Sequence, residues 1–145
     1  MTPKKSSSSR TKEVKKKTSP VLYASAASAG FPAPGDDLVE KVLDIGTYMV
    51  RNPAATFFVR VAGDSMKDAH ITTGDILVVD RSVSPTSGAI VVAAVFGELV
   101  VKRIKKKGVA LLLVSENEEY EPIRVEDEGD CVIWGVVTGI VRKYA

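Results

Sequence analysis

Between Thr56 and Val141 the chain is a succession of short apolar runs separated by turn residues, and no other feature narrows the fold as far. The runs are Thr56 to Val61, Ile76 to Val79, Ala89 to Phe96, Leu99 to Ile104, Val109 to Val114 and Cys131 to Val141. Most are bounded by Gly, Pro, Asp or Ser, the residues that end strands and reverse the backbone. Phe96-Gly97 leaves room only for a tight hairpin. A single stretch has a helical period: Asp44 can cap it, Ile45, Tyr48 and Met49 fall at i, i+3 and i+4, and Asn52-Pro53 stops it. Many strands and one short helix predict a mainly β, mainly antiparallel domain, coiled on itself, with the helix packed on the sheet.

At 145 residues the chain allows one compact core. Cys131 is the only cysteine, so an intrachain disulfide is excluded, and its place in Asp130-Cys131-Val132-Ile133 predicts a buried strand position in a reducing cytosol. His70 is the only histidine, which excludes multi-His metal sites, so neither a structural metal nor a cofactor is expected. No apolar run is long enough to span a membrane, and no hydrophobic segment follows the basic N-terminus. The expected setting is therefore cytoplasmic, without a membrane partner.

The net charge of +2 hides an asymmetry. Residues 1 to 29 carry seven basic side chains against Glu13, a net +6, which leaves −4 for the rest. Met1 to Pro20 is rich in Lys, Ser and Thr without hydrophobic period, and reads as a solvated, flexible arm able to touch nucleic acid nonspecifically. Val21 to Pro34 is a small-residue segment punctuated by Gly and Pro, expected to be extended and accessible.

Two residues in the body bear on chemistry. Val59 to Val61 leads through Ala62 to Gly63, where the chain must turn, and delivers Ser65 directly after the turn. In Leu99-Val100-Val101-Lys102-Arg103-Ile104, strand alternation sets Lys102 on one face between Val100 and Ile104. A serine hydroxyl is a weak nucleophile until a base takes its proton, and a lysine serves as that base only when burial disfavours its ammonium. Read alone, Ser65 fits a plain turn residue, and Lys102 fits a strand lysine whose ammonium reaches water. Lys105, Lys106 and Lys107 read as a solvated turn leading into Gly108. A Ser-His-Asp arrangement would have to use His70, which reads as a loop or surface residue; Asp75 and Asp80, flanking Ile76 to Val79, read as turn and strand-end residues.

The order of Gly30-Phe31-Pro32, Asn52-Pro53-Ala54-Ala55-Thr56, Gly63-Asp64-Ser65-Met66, Gly74 to Asp80, the strand lysine and Gly135-Val136-Val137 resembles the UmuD/LexA self-cleaving family from about Ala29 onward. The resemblance implies a curved antiparallel β catalytic domain of the LexA/UmuD C-terminal type that dimerises. It further implies Ser65 as nucleophile, Lys102 as general base and Ala29-Gly30 as the scissile bond. Residues 1–29 would then be an arm removed by self-cleavage, and 30–145 the Ser/Lys protease-like domain. In that family cleavage is stimulated by RecA filaments on single-stranded DNA, and the shortened product joins a UmuC-type polymerase in translesion synthesis during the SOS response. The lysine-rich residues 1 to 20 have no counterpart in the resemblance, and they are too short and polar for a helix-turn-helix reader. The competing reading is a non-catalytic β-domain that binds a polymerase or DNA partner.

Overall fold

A computed structural model of the chain describes residues 20–23 and 39–145. The chain divides into two compact units, one ending at Ile45 and the other running from Gly46 to Ala145. In the first, β1 (Val21–Tyr23) pairs antiparallel with β2 (Val39–Val42), and the Leu43 N–H donates to the Pro20 carbonyl at 2.9 Å. The extended conformation expected after Pro20 thus occurs over Val21–Tyr23 as a paired strand. The remainder of the expected arm, with Ala29 and Gly30, lies outside the described residues.

The helix predicted from the spacing forms as α1 (Ile45–Met49). Seven strands follow: β3 (Thr56–Arg60), β4 (Ile76–Asp80), β5 (Ile90–Val95), β6 (Glu98–Lys107), β7 (Ala110–Val114), β8 (Ile123–Val125) and β9 (Cys131–Val141). They form one sheet in the order β3-β4-β9-β5-β6-β7-β8, with every pairing antiparallel. Register shifts at Val78/Val79 and Val92/Ala93 mark bulges on both sides of β9, and an inserted residue bends and twists the strand that carries it. Mainly β, antiparallel and curved, the architecture is the one the apolar runs imply.

The sheet is buried on both faces around its middle. Val91, Ala93 and Val95 of β5 join Ile104, Leu113, Val125 and Val136 in one apolar cluster. Val92, from the opposite face of the same strand, packs with Val61, Met66, Ile71, Leu77 and Val79 in a second. A strand buried on both faces reads as an unbroken apolar run, which is why Ile90 to Val95 shows no alternation. Cys131 is half-buried against the first cluster, and burial pushes its thiol pKa up. The Met49 side chain lies where a Cβ at Gly139 would stand, so α1 packs on β9.

Two expectations need correction. Lys105, Lys106 and Lys107 are strand residues of β6, paired with Leu112, Leu111 and Ala110, and the turn comes one step later at Gly108, whose φ is 59°. The pairing potential of the apolar β7 extends β6 through a charged segment whose side chains stay in water. Asp75 is more than a turn residue. It is 2% exposed and accepts hydrogen bonds from Arg142 Nε and Nη2, both at 2.6 Å, and from the Thr72 N–H at 2.8 Å. Asp80, also buried, does act at a strand end, accepting from the Ser82 N–H and hydroxyl.

Candidate active site

The Ser65 turn is fastened residue by residue. After β3, the Val61 N–H donates to the Asp75 carbonyl at 2.8 Å and the Val61 carbonyl accepts from the Gly74 N–H at 2.9 Å. The chain then leaves the sheet at Gly63, whose φ of 93° lies in the left-handed region that favours glycine. Thr73 holds that residue from both sides, its Oγ1 accepting from the Gly63 N–H at 3.0 Å and donating to the Gly63 carbonyl at 2.9 Å. Met66, 2% exposed, plugs the far side of the turn into the second cluster. Between these anchors Ser65 is half-buried.

Lys102 comes from the sheet. It stands directly across the ladder from Val91, with Val100 and Ile104 on its own face, and is 7% exposed. Among the described residues no carboxylate forms an ion pair with it. Burial lowers its pKa from the ordinary lysine value. Its Nζ donates to Ser115 Oγ at 2.5 Å and lies 5.1 Å from the centre of the Tyr120 ring.

Ser65 and Lys102 line one cavity of about 310 Å³, bounded by residues 59–66, 99–102 and Tyr120. The structure thus brings together the two side chains that the sequence reading paired across 37 positions. The hydroxyl hydrogen-bonded to Lys102 is that of Ser115 rather than Ser65. His70 does not line this cavity; it ends the short turn Lys67–Ala69 in the left-handed region, exposed, and its carbonyl accepts from Arg142. The Ala29-Gly30 bond lies outside the described residues.

Sequence reasoning missed the segment that ties the two halves of the site together. Following β7, residues 115–120 cross to the Ser65 turn: Asn117 Nδ2 donates to the Asp64 carbonyl at 3.0 Å and the Tyr120 hydroxyl to Asp64 Oδ1 at 2.7 Å. The Asp68 N–H donates to the Glu116 carbonyl at 2.8 Å, and the Glu116 N–H reaches Met66 Sδ at 3.4 Å. The bond to Asp64 raises the Tyr120 pKa, because ionising the phenol would set two negative charges together. The usable signal was register: β6 and β7 are joined by a tight turn at Gly108, and that pairing sets Val114 opposite Arg103 and carries Ser115 next to Lys102.

A serine and a buried lysine without a carboxylate partner thus line one cavity. The Peptidase S24-like family profile matches residues 20–138. The chain is 43% identical to the protein SamA of Salmonella typhimurium over 123 residues, which covers 84% of each chain. It is 42% identical to ImpA of Escherichia coli over 123 residues, 84% of this chain and 83% of that one. With MucA of Escherichia coli the identity is 41% over 118 residues, 81% of this chain and 80% of that one. On the match to most of its length and on these relatives, the chain belongs to the Peptidase S24-like family of self-cleaving serine peptidases, as a UmuD-like member.

Proposed function

We propose that the protein cleaves itself between Ala29 and Gly30, with Ser65 as nucleophile and Lys102 as general base. The observation that carries this reading is the shared cavity, in which a half-buried serine faces the same space as a lysine deprived of water and of counter-charge. The neutral Lys102 amine takes the Ser65 proton as Oγ bonds to the Ala29 carbonyl carbon. Backbone N–H groups of the Ser65 turn stabilise the oxyanion. The Ala29-Gly30 C–N bond then breaks, and the proton held on Lys102 passes to the departing Gly30 amine. Water hydrolyses the Ser65 ester, leaving a new carboxylate on Ala29. A small residue on each side of the bond suits close approach of an extended strand.

Cleavage removes a segment of net charge +6 and leaves a body of −4, so the product differs from its precursor in electrostatics as well as length. The family membership supports a wider role. In this reading the protein is a cytoplasmic homodimer acting in SOS mutagenesis, and its cleavage is stimulated by RecA filaments on single-stranded DNA. The shortened form serves a UmuC-type translesion polymerase, and the basic arm touches DNA only nonspecifically.

The test is the intact mass of wild-type and Ser65→Ala protein incubated at mildly alkaline pH, with and without RecA filaments. A wild-type product beginning at Gly30 and absent from the variant supports the reading. No product from either, with filaments present, removes the catalytic role and leaves a binding subunit.

A further inference from the structure

Lys102 can serve as a base only if its lone pair points at the nucleophile, and nothing in a four-carbon stem fixes rotation about the last bond. The described structure contains one side-chain group that does. Ser115 Oγ accepts a hydrogen bond from Lys102 Nζ at 2.5 Å, both residues are 7% exposed, and no competing acceptor bonds to that nitrogen among the described residues. Ser115 sits at the end of β7, next to the strand that bears the lysine, and the segment it opens is strapped to the Ser65 turn through Glu116, Asn117 and Tyr120. The same short segment therefore bonds to Lys102 and to the residues on either side of Ser65.

We propose that Ser115 is the positioning residue for Lys102, holding one N–H of its amine so that the lone pair faces the cavity that Ser65 lines. This rests on the assignment of Lys102 as the base. The other charged or titratable groups packed nearby are otherwise engaged: Tyr120 bonds to Asp64 through its hydroxyl and offers Nζ only its ring face, and Arg103 pairs with Glu116. Because an acceptor favours the charged form of a donor over the neutral one, Ser115 has two separable effects. It orients the amine, which raises the limiting rate, and it steadies the ammonium, which moves the working pH range upward.

The experiment compares self-cleavage of the full chain as wild type, Ser115→Ala, Ser115→Val and Ser115→Thr across pH. Expected is a limiting rate about tenfold or more lower in the Ala and Val variants, with the rate midpoint moved to lower pH, and recovery of both in Ser115→Thr. Val has the shape of Thr and no acceptor, so the Val and Thr pair separates lost bonding from a change in volume. A parallel NMR titration of the Lys102 Cε, in Ser65→Ala protein with and without Ser115→Ala, reads the contact without needing cleavage; its midpoint should fall when the hydroxyl is removed. Unchanged rate and midpoint in Ser115→Ala, or an unmoved Lys102 titration, overturns the proposal. Wild type that fails to cleave while the titration still moves overturns the peptidase reading and leaves the contact standing. Cleavage surviving in Ser65→Ala but lost in Ser115→Ala and Ser115→Val overturns both, and makes Ser115 the nucleophile.

Discussion

Arg142 closes a two-pronged ion pair on Asp75, tying the residue after β9 to the loop that also supports the Ser65 turn. The same guanidinium donates to the His70 carbonyl at 2.7 Å. The Arg142 bond holds the Asp75 carboxyl down, at about 2 against an ordinary 3.8, despite burial that pushes the other way. Removing the guanidinium leaves a carboxylate that is buried and keeps only its Thr72 partners. Arg142→Ala should cost about 2–3 kcal/mol in urea unfolding, below the figure for a fully enclosed pair because Arg142 is partly in water. In wild type the stabilisation is complete above the unfolded value and disappears as pH falls towards 2, so the cost of Arg142→Ala should be largest near neutral pH and shrink as the solution is acidified. A cost that does not shrink on acidification would remove this role.

How much of this was legible in the sequence depends on the range of the interaction. Strands β3 to β7 and β9 follow from local runs and turn residues, and the Phe96-Gly97 hairpin from two residues alone. Ser65 after a glycine break and Lys102 within an apolar strand read, by themselves, as a turn residue and a strand lysine, and only the family resemblance pairs them. Ile123-Arg124-Val125 was missed, since three residues carry too little alternation to register, and β8 exists through its pairing with β7. The Asp75–Arg142 pair spans 67 positions and the Tyr120–Asp64 bond 56, distances at which neither period nor spacing speaks. Lys105 to Lys107 show the opposite failure, a local charge signal overruled by a neighbouring strand.

Two glycines on β9 should respond differently to a methyl group. A Cβ at Gly135 would stand 2.8 Å from Val79 Cγ1 and 3.0 Å from the Asp80 carbonyl oxygen, so backbone of β4 would have to move. Gly135→Ala is expected to cost about 1–3 kcal/mol in thermal or denaturant unfolding, as overpacking does. At Gly139 the obstacle is the end of the Met49 side chain, which can rotate away. Gly139→Ala should cost under about 1 kcal/mol, because methionine adapts to changes in the space around it. A larger loss at 139 than at 135 would contradict the packing described.

The hairpin between β5 and β6 places Phe96 at φ 48° and Gly97 at φ 83°, both in the left-handed region. A two-residue hairpin of this kind suits Asn-Gly, and a phenylalanine there is strained while its ring is exposed. Phe96→Asn should raise stability by about 0.5–1 kcal/mol without altering the site. A fall in melting temperature would mean that the exposed ring makes a contact worth more than the strain.

Lys102 itself should impose a cost on the fold that shows in its pH dependence. Burial lowers its pKa, so between the folded and unfolded values the unfolded chain binds a proton that the folded one does not. Stability of the wild type should therefore rise with pH through that window and level off above the ordinary value of 10.5. Lys102→Met keeps the length of the side chain and has no proton to lose. Its stability relative to wild type should be greatest at neutral pH and decline as the solution is made alkaline, read by denaturant unfolding at several pH values. The same variant should lose self-cleavage by about a hundredfold or more at every pH, since no amine remains to take the serine proton. A stability difference that stays flat with pH would mean that Lys102 is not desolvated in the folded protein, and an amine left charged at neutral pH would be a poor base for Ser65.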